Sequence, residues 1–166
     1  MRHFQSATVA AIAVVLASFS PAFALQKPPA AAPSAQAAPV KVCSLVARAE
    51  VKKLLPWAPH VDGMPEEEEP VGTAGSSCTY PSVSIQVLPP SQAILEAVKK
   101  NYKLETVSGV GEEAYFRNNK NLYAELYVKT GKHLLTLQGN VPTGKTPESM
   151  KPALESLAKL YVEKLR

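Results

Sequence analysis

The sequence predicts an α+β domain in two layers, three helices on an antiparallel sheet of about four to five strands, with one disulfide. Three observations carry that expectation. Segments of period two, most clearly Leu122–Lys129, are joined by turns too short for a crossover, so neighbouring strands must run antiparallel. Apolar stripes at helical spacing stand before, between and after those segments. Two cysteines, Cys43 and Cys78, follow an export-like N-terminus, and an even pair meeting an oxidising compartment reads as a disulfide. The competing reading is a nucleophilic or metal-binding thiol.

Arg2 and His3 precede an apolar run from Ala7 to Leu16, and ASFSPAFA follows with Ala22 and Ala24 in the small-residue positions of a cleavage site. Residues 1–24 are therefore expected to be a signal peptide, leaving Leu25 as the mature N-terminus. The run is too short and too Ala-rich for a membrane span, which needs about 20 apolar residues. Residues 25–40 are Pro/Ala-rich and nearly uncharged, the composition of a disordered tether. That stretch also argues against Cys43 as a lipid anchor, because a lipidated cysteine directly follows the apolar run. Residues 41–166 are one domain's worth of chain. The protein is expected to be periplasmic or secreted, and not membrane-spanning after cleavage.

Along the domain, Ser44 can cap a helix to Leu55, stopped by Pro56, with Val51, Leu54 and Leu55 sharing a face with Leu45 or Val46. From Pro56 to Gly75 the chain reads as a long exposed loop holding Glu66–Glu69. Ser77–Tyr80 and Val83–Val87 form a hairpin turned at Pro81-Ser82, ended by Pro89-Pro90. Ser91 caps a helix to about Tyr102, with Ile94, Leu95, Val98 and Tyr102 on one face. Ala114–Phe116 is a strand after the glycines of GVGEE. In Leu122–Lys129, Leu122, Ala124, Leu126 and Val128 are expected inward, and Tyr123, Glu125, Tyr127 and Lys129 outward. Thr130-Gly131 turns this strand into its partner, HLLTLQ. Thr146 or Ser149 caps the last helix. Ser149 is the more comfortable, since it places Pro152 in the first turn. Met150, Leu154, Leu157, Tyr161 and Leu165 form that helix's stripe.

Several landmarks together resemble a recurrent type of bacterial exported or lipoprotein-borne domain of unknown function. They are Cys43-Ser44-Leu45-Val46 with Glu50-Val51, then Ser77-Cys78-Thr79-Tyr80, then Gly109–Phe116 (GVGEEAYF), and Gly131. The chain departs from that pattern at Ala47, where a capping Ser or Thr is usual, and at Pro56, where Gly is. The resemblance implies an α+β fold and a disulfide, and no catalytic residues.

The net charge is +4, with Lys and Arg spread along the chain. No basic patch is interleaved with aromatics, and export argues against a nucleic-acid partner. Beyond residues 1–24 the only histidines are His60 and His133, and no G-x-S-x-G elbow occurs, so a hydrolase triad would need unseen tertiary assembly. His60 and Asp62 followed by Glu66–Glu69 are the best metal-like constellation, with imidazole and carboxylate ligands suited to a divalent ion. Their spacing matches no defined site, and no metal or other cofactor is expected. Tyr115, Tyr123 and Tyr127, with Trp57 in the loop, can form an aromatic patch for a ligand or partner, unless a helix covers that face. The expected function is that of an exported binding or envelope-interaction module without catalytic activity. Its partner would be a protein or small ligand of the cell envelope. The alternative is a small metal-assisted hydrolase using His60, Asp62 and the Glu66–Glu69 loop.

Overall fold

The computed structural model describes residues 40–55, 67–90, 92–120 and 122–166. The expected signal peptide, the linker up to residue 39, Trp57, His60, Asp62, Glu66 and the Ser91 cap lie outside the described residues. The elements are α1 (Val42–Leu45), α2 (Arg48–Leu54), β1 (Glu67–Val71), β2 (Gly75–Tyr80), β3 (Val83–Leu88), α3 (Gln92–Asn101), β4 (Glu105–Val107), β5 (Glu113–Asn119), β6 (Tyr123–Thr130), β7 (His133–Asn140) and α4 (Pro147–Leu165). The strands form one sheet in the order β1-β2-β3-β7-β6-β5-β4, every neighbouring pair antiparallel.

The sheet thus has seven strands, not four or five, and the described residues hold four helices, not three. Both extra strands lie at edges. β1 takes the acidic stretch expected to be loop: Glu67–Val71 pairs with β2, main-chain bonds winning over a sequence with little strand propensity. β4 is three residues long, below what a period can reveal. The opening helix breaks in two because Val46 and Ala47 are extended. Ala47 occupies the N-cap of α2 without a side chain to cap it. Ser44, expected as a cap, lies inside α1, where its hydroxyl donates to the Lys41 carbonyl.

One face of the sheet carries the main core. Cys78, Tyr80, Val83, Ile85, Val87, Ala114, Phe116, Ala124, Leu126, Val128, Leu135 and Leu137 are buried there with Met150, Leu154, Leu157 and Tyr161 of α4 and Val42, Val46, Val51 and Leu55 from the opening helices. The S–S bond Cys43–Cys78 fastens α1 to β2, and the Ser76 hydroxyl donates to the Val40 carbonyl beside it. Thr146 is the N-cap of α4. It exchanges bonds with Ser149 in a capping box, with Pro147 in the first turn. Ser149, the expected cap, is thus the third helical residue, and Pro152 lies within the helix.

The second face departs from the expectation of two layers. Leu95 of α3 packs on Tyr127 and Leu134, with Leu88, Val98 and Tyr115 around them, a cluster separate from the main core. Helices therefore flank both faces. α3 presents one buried residue, while Ile94 and Tyr102, expected on its inward face, are 41% and 43% exposed. Leu122 is 62% exposed because it precedes the first sheet residue of β6.

Among the described residues, no helix is long and apolar enough to cross a membrane.

Candidate functional site

Strand register arranges the second face in rows across the sheet. Nearest α3 runs a row of Leu88, Leu134, Lys129 and Glu113, and next to it Ser77, Gln86, Thr136, Tyr127 and Tyr115. Beyond lie Thr79, Ser84, Gln138, Glu125 and Arg117 on five successive strands. With strands about 4.8 Å apart, that third row is about 19 Å long. The outermost row holds Asn140, Tyr123 and Asn119. Along this gradient the apolar side chains, Leu88, Leu134, Tyr127 and Tyr115, gather in the two rows beneath α3 beside the charged Lys129 and Glu113, and the rows beyond are polar apart from Tyr123.

The expected aromatic patch is split by this gradient. Tyr115 and Tyr127 are direct cross-strand partners, but Tyr127 is 9% exposed and belongs with Tyr115 to the cluster under α3. They are core-edge residues. Tyr123 alone of the three stands among the uncovered rows, half-buried. Trp57 lies outside the described residues.

Glu125, expected to be outward and wet, is 7% exposed. Its Oε2 accepts from Arg117 Nη1 at 2.7 Å and from the Tyr127 hydroxyl at 3.3 Å. The Arg117 guanidinium lies 3.4 Å from the centroid of the Tyr102 ring, so it is held between a carboxylate and an aromatic face. Burial, and then the charge of Glu125, push the Tyr127 phenol up from its ordinary value. A second charge cluster ties α3 to β5: Lys99 Nζ donates to Glu113 Oε2 at 3.0 Å and lies over the Tyr115 ring, whose hydroxyl donates to the same carboxylate oxygen. The bond from Lys99, then that from Tyr115, holds the Glu113 carboxyl below its usual range.

In contrast, Ser84, Gln86, Thr136 and Gln138 are half-buried and form no side-chain hydrogen bond among the described residues. They stand mid-sheet, where the main-chain groups are used by the ladders, so their side chains are what the surface offers. Sequence reasoning missed this array. Its signal was present as the polar half of each strand's alternation, but period two leaves open which strands stand side by side.

The GVGEE stretch serves the sheet. Glu112 N donates to the Lys129 carbonyl, and its Oε1 accepts from the Gly131 amide at 2.8 Å, clasping the β6–β7 turn. Of the acidic stretch, Glu67 and Glu69 lie on the second face and Glu68 on the other. All three are exposed. Among the described residues, no three of His, Cys, Asp or Glu are grouped to hold a metal ion. His133 lines a recess of about 130 Å³ with Leu95, Lys129 and Leu134. Burial, with the nearby Lys132 charge, keeps its imidazole below the ordinary value.

Compared with known proteins, the chain matches no family model, no curated sequence and no solved structure.

Proposed function

We propose that this chain is a bacterial exported binding module without catalytic activity. In this reading residues 1–24 direct export and are removed after Ala24, residues 25–40 act as a tether, and residues 41–166 work free of the membrane, in the periplasm or outside the cell. The Cys43–Cys78 bond fits an oxidising compartment. The observation that carries the reading is the open array on the sheet's second face, where side chains able to donate and accept surround Tyr123 and a closed Arg117–Glu125 pair. Catalysis needs a nucleophile or base held against the group that activates it, whereas recognition needs fixed polar groups that are still free to bond. The contact surface thus shifts from the three-tyrosine patch to the part of the face that α3 leaves open.

The test places a photo-crosslinking residue at Gln138 in the exported full chain, with the same residue at Lys159, on the opposite helix layer, as control. An adduct formed from Gln138 and not from Lys159 supports a binding face. Stoichiometric zinc with hydrolytic turnover, both lost in His60→Ala, would replace this reading with the metal-assisted hydrolase.

A further inference from the structure

We infer that α3 is a lid: it lifts from the second face as a unit while the sheet stays paired, and so uncovers the Tyr115–Tyr127 pair beside the polar rows. Topology permits this. The chain leaves β3 and rejoins the sheet at β4, the far edge strand, so α3 crosses over β7, β6 and β5. Its 10 residues, about 15 Å of helix, match the roughly 14 Å of three strand spacings. Strand pairing ends at Leu88 before it and resumes at Glu105 after it. Pro89, Pro90 and Lys103 in between are exposed, and the prolines have no N–H to tie to a ladder. Lifting α3 therefore breaks no strand pairing.

Packing sets α3 apart. Among the described residues, α1, α2 and α4 each put side chains into the main core, and α3 puts none there. Leu95, Lys99 and Tyr102, at helical spacing, hold it to the sheet. Leu95 alone is buried, on Tyr127 and Leu134, with Val98 half-buried beside it. Lys99 reaches Glu113 at 3.0 Å and the Tyr115 ring at 4.8 Å, but the side chains of this ion pair are 28% and 34% exposed. Tyr102 stacks on the Arg117 guanidinium and is itself exposed. Ion pairs open to water contribute little, so one buried leucine is the main hold. Neither charge is stranded when α3 leaves, because Glu113 keeps Lys129 at 3.6 Å and Arg117 keeps Glu125. Segments with so few buried apolar contacts open well below the free energy of global unfolding. Closed, α3 hides an apolar band of Leu88, Leu134, Tyr115 and Tyr127; open, that band joins the polar rows in one surface.

Native-state amide exchange by NMR on the full chain, disulfide intact, reads the opening. Protection factors of the α3 amides from Glu96 to Asn101 should be alike, and at least about a hundredfold below those of Leu126 and Leu135. Leu95→Ala should lower the whole α3 set about thirtyfold. Ile85→Val, in the main core, should lower the Leu126 and Leu135 values about fivefold and leave the α3 set unchanged, since the core stays formed when the lid is open. An α3 set as protected as Leu126 and Leu135, or one that falls with Ile85→Val, would mean that α3 moves only with global unfolding and would overturn the inference. So would unequal α3 values indifferent to Leu95→Ala, the mark of a fraying helix end. Opening needs no ligand, so a failed crosslink at Gln138 leaves the lid standing, and an α3 that never opens alone leaves the binding face standing.

Discussion

Glu125→Gln gives the sharpest test of how the second face is built. The substitution keeps shape but removes the charge that Arg117 was folded against, with the side chains of the pair only 15% (Arg117) and 9% (Glu125) exposed. Breaking one partner of a fully buried pair costs about 3–5 kcal/mol, because the other charge is left desolvated and alone. Arg117 keeps the Tyr102 ring against it and some contact with water, so the lower end applies, about 3 kcal/mol. For a domain of this size that is a fall in Tm of roughly 10 °C. Removing both charges in Arg117→Met/Glu125→Gln should restore stability to within about 1 kcal/mol of the parent, since no buried charge is then left without its partner. The double-mutant cycle therefore predicts a coupling of about 2 kcal/mol or more. Urea unfolding followed by circular dichroism at pH 7 measures all four corners. Additive effects, or a Glu125→Gln loss under about 0.5 kcal/mol, would refute the claim that these charges are held closed upon each other.

Three further outcomes follow from the structure. Cys43→Ala/Cys78→Ala opens a loop of 35 residues' separation and should cost about 4 kcal/mol by the chain-entropy relation, read by urea unfolding against the oxidised parent; a loss below about 1 kcal/mol would deny the bond a structural role. Gly111→Ala should cost about 2–5 kcal/mol, since φ is +62° and a Cβ there would meet Val128 Cγ1 at 2.5 Å and the Lys129 carbonyl oxygen at 2.6 Å. Gly109→Ala, at φ +76° with open space around it, should lose only about 1–2 kcal/mol, and equal losses in the two variants would contradict the close approach. His133 titrates below its ordinary 6.5 in the folded chain, so the unfolded chain binds its proton first; stability should be unaffected by this group above that value and fall as pH drops from it toward the lower folded value. His133→Gln should flatten that part of the stability–pH curve, and an unchanged slope would contradict it.

Local pattern carried much of the fold. The alternation in β6 placed Ala124, Leu126 and Val128 in the core, and the stripe of α4 placed Met150, Leu154, Leu157 and Tyr161 against them. Both are readable because each residue's direction is dictated by its own element's period. The pairing of Cys43 with Cys78 needed only a count of two and a compartment. What failed were features whose energy comes from elsewhere in the chain. Glu67–Glu69 become strand because β2 supplies the hydrogen bonds, and the glutamates' own preferences are too weak to resist. Tyr127 and Glu125 are buried because α3 and the Arg117–Tyr102 stack close over them, a meeting of segments distant in sequence.

By itself, the sequence determined the class of fold, the antiparallel pairing and the main core, which follow from residue periods and turn lengths, and the disulfide, which follows from there being two cysteines. Only the tertiary structure decided that the sheet has seven strands, that helices lie on both its faces, and that Ser84, Gln138, Glu125 and Arg117 share one row. The physical reason is register. A strand's sequence says which side chains point the same way, but which neighbours they meet is set by hydrogen bonding to other strands, and β7, last in sequence, lies between β3 and β6 at the centre of the sheet.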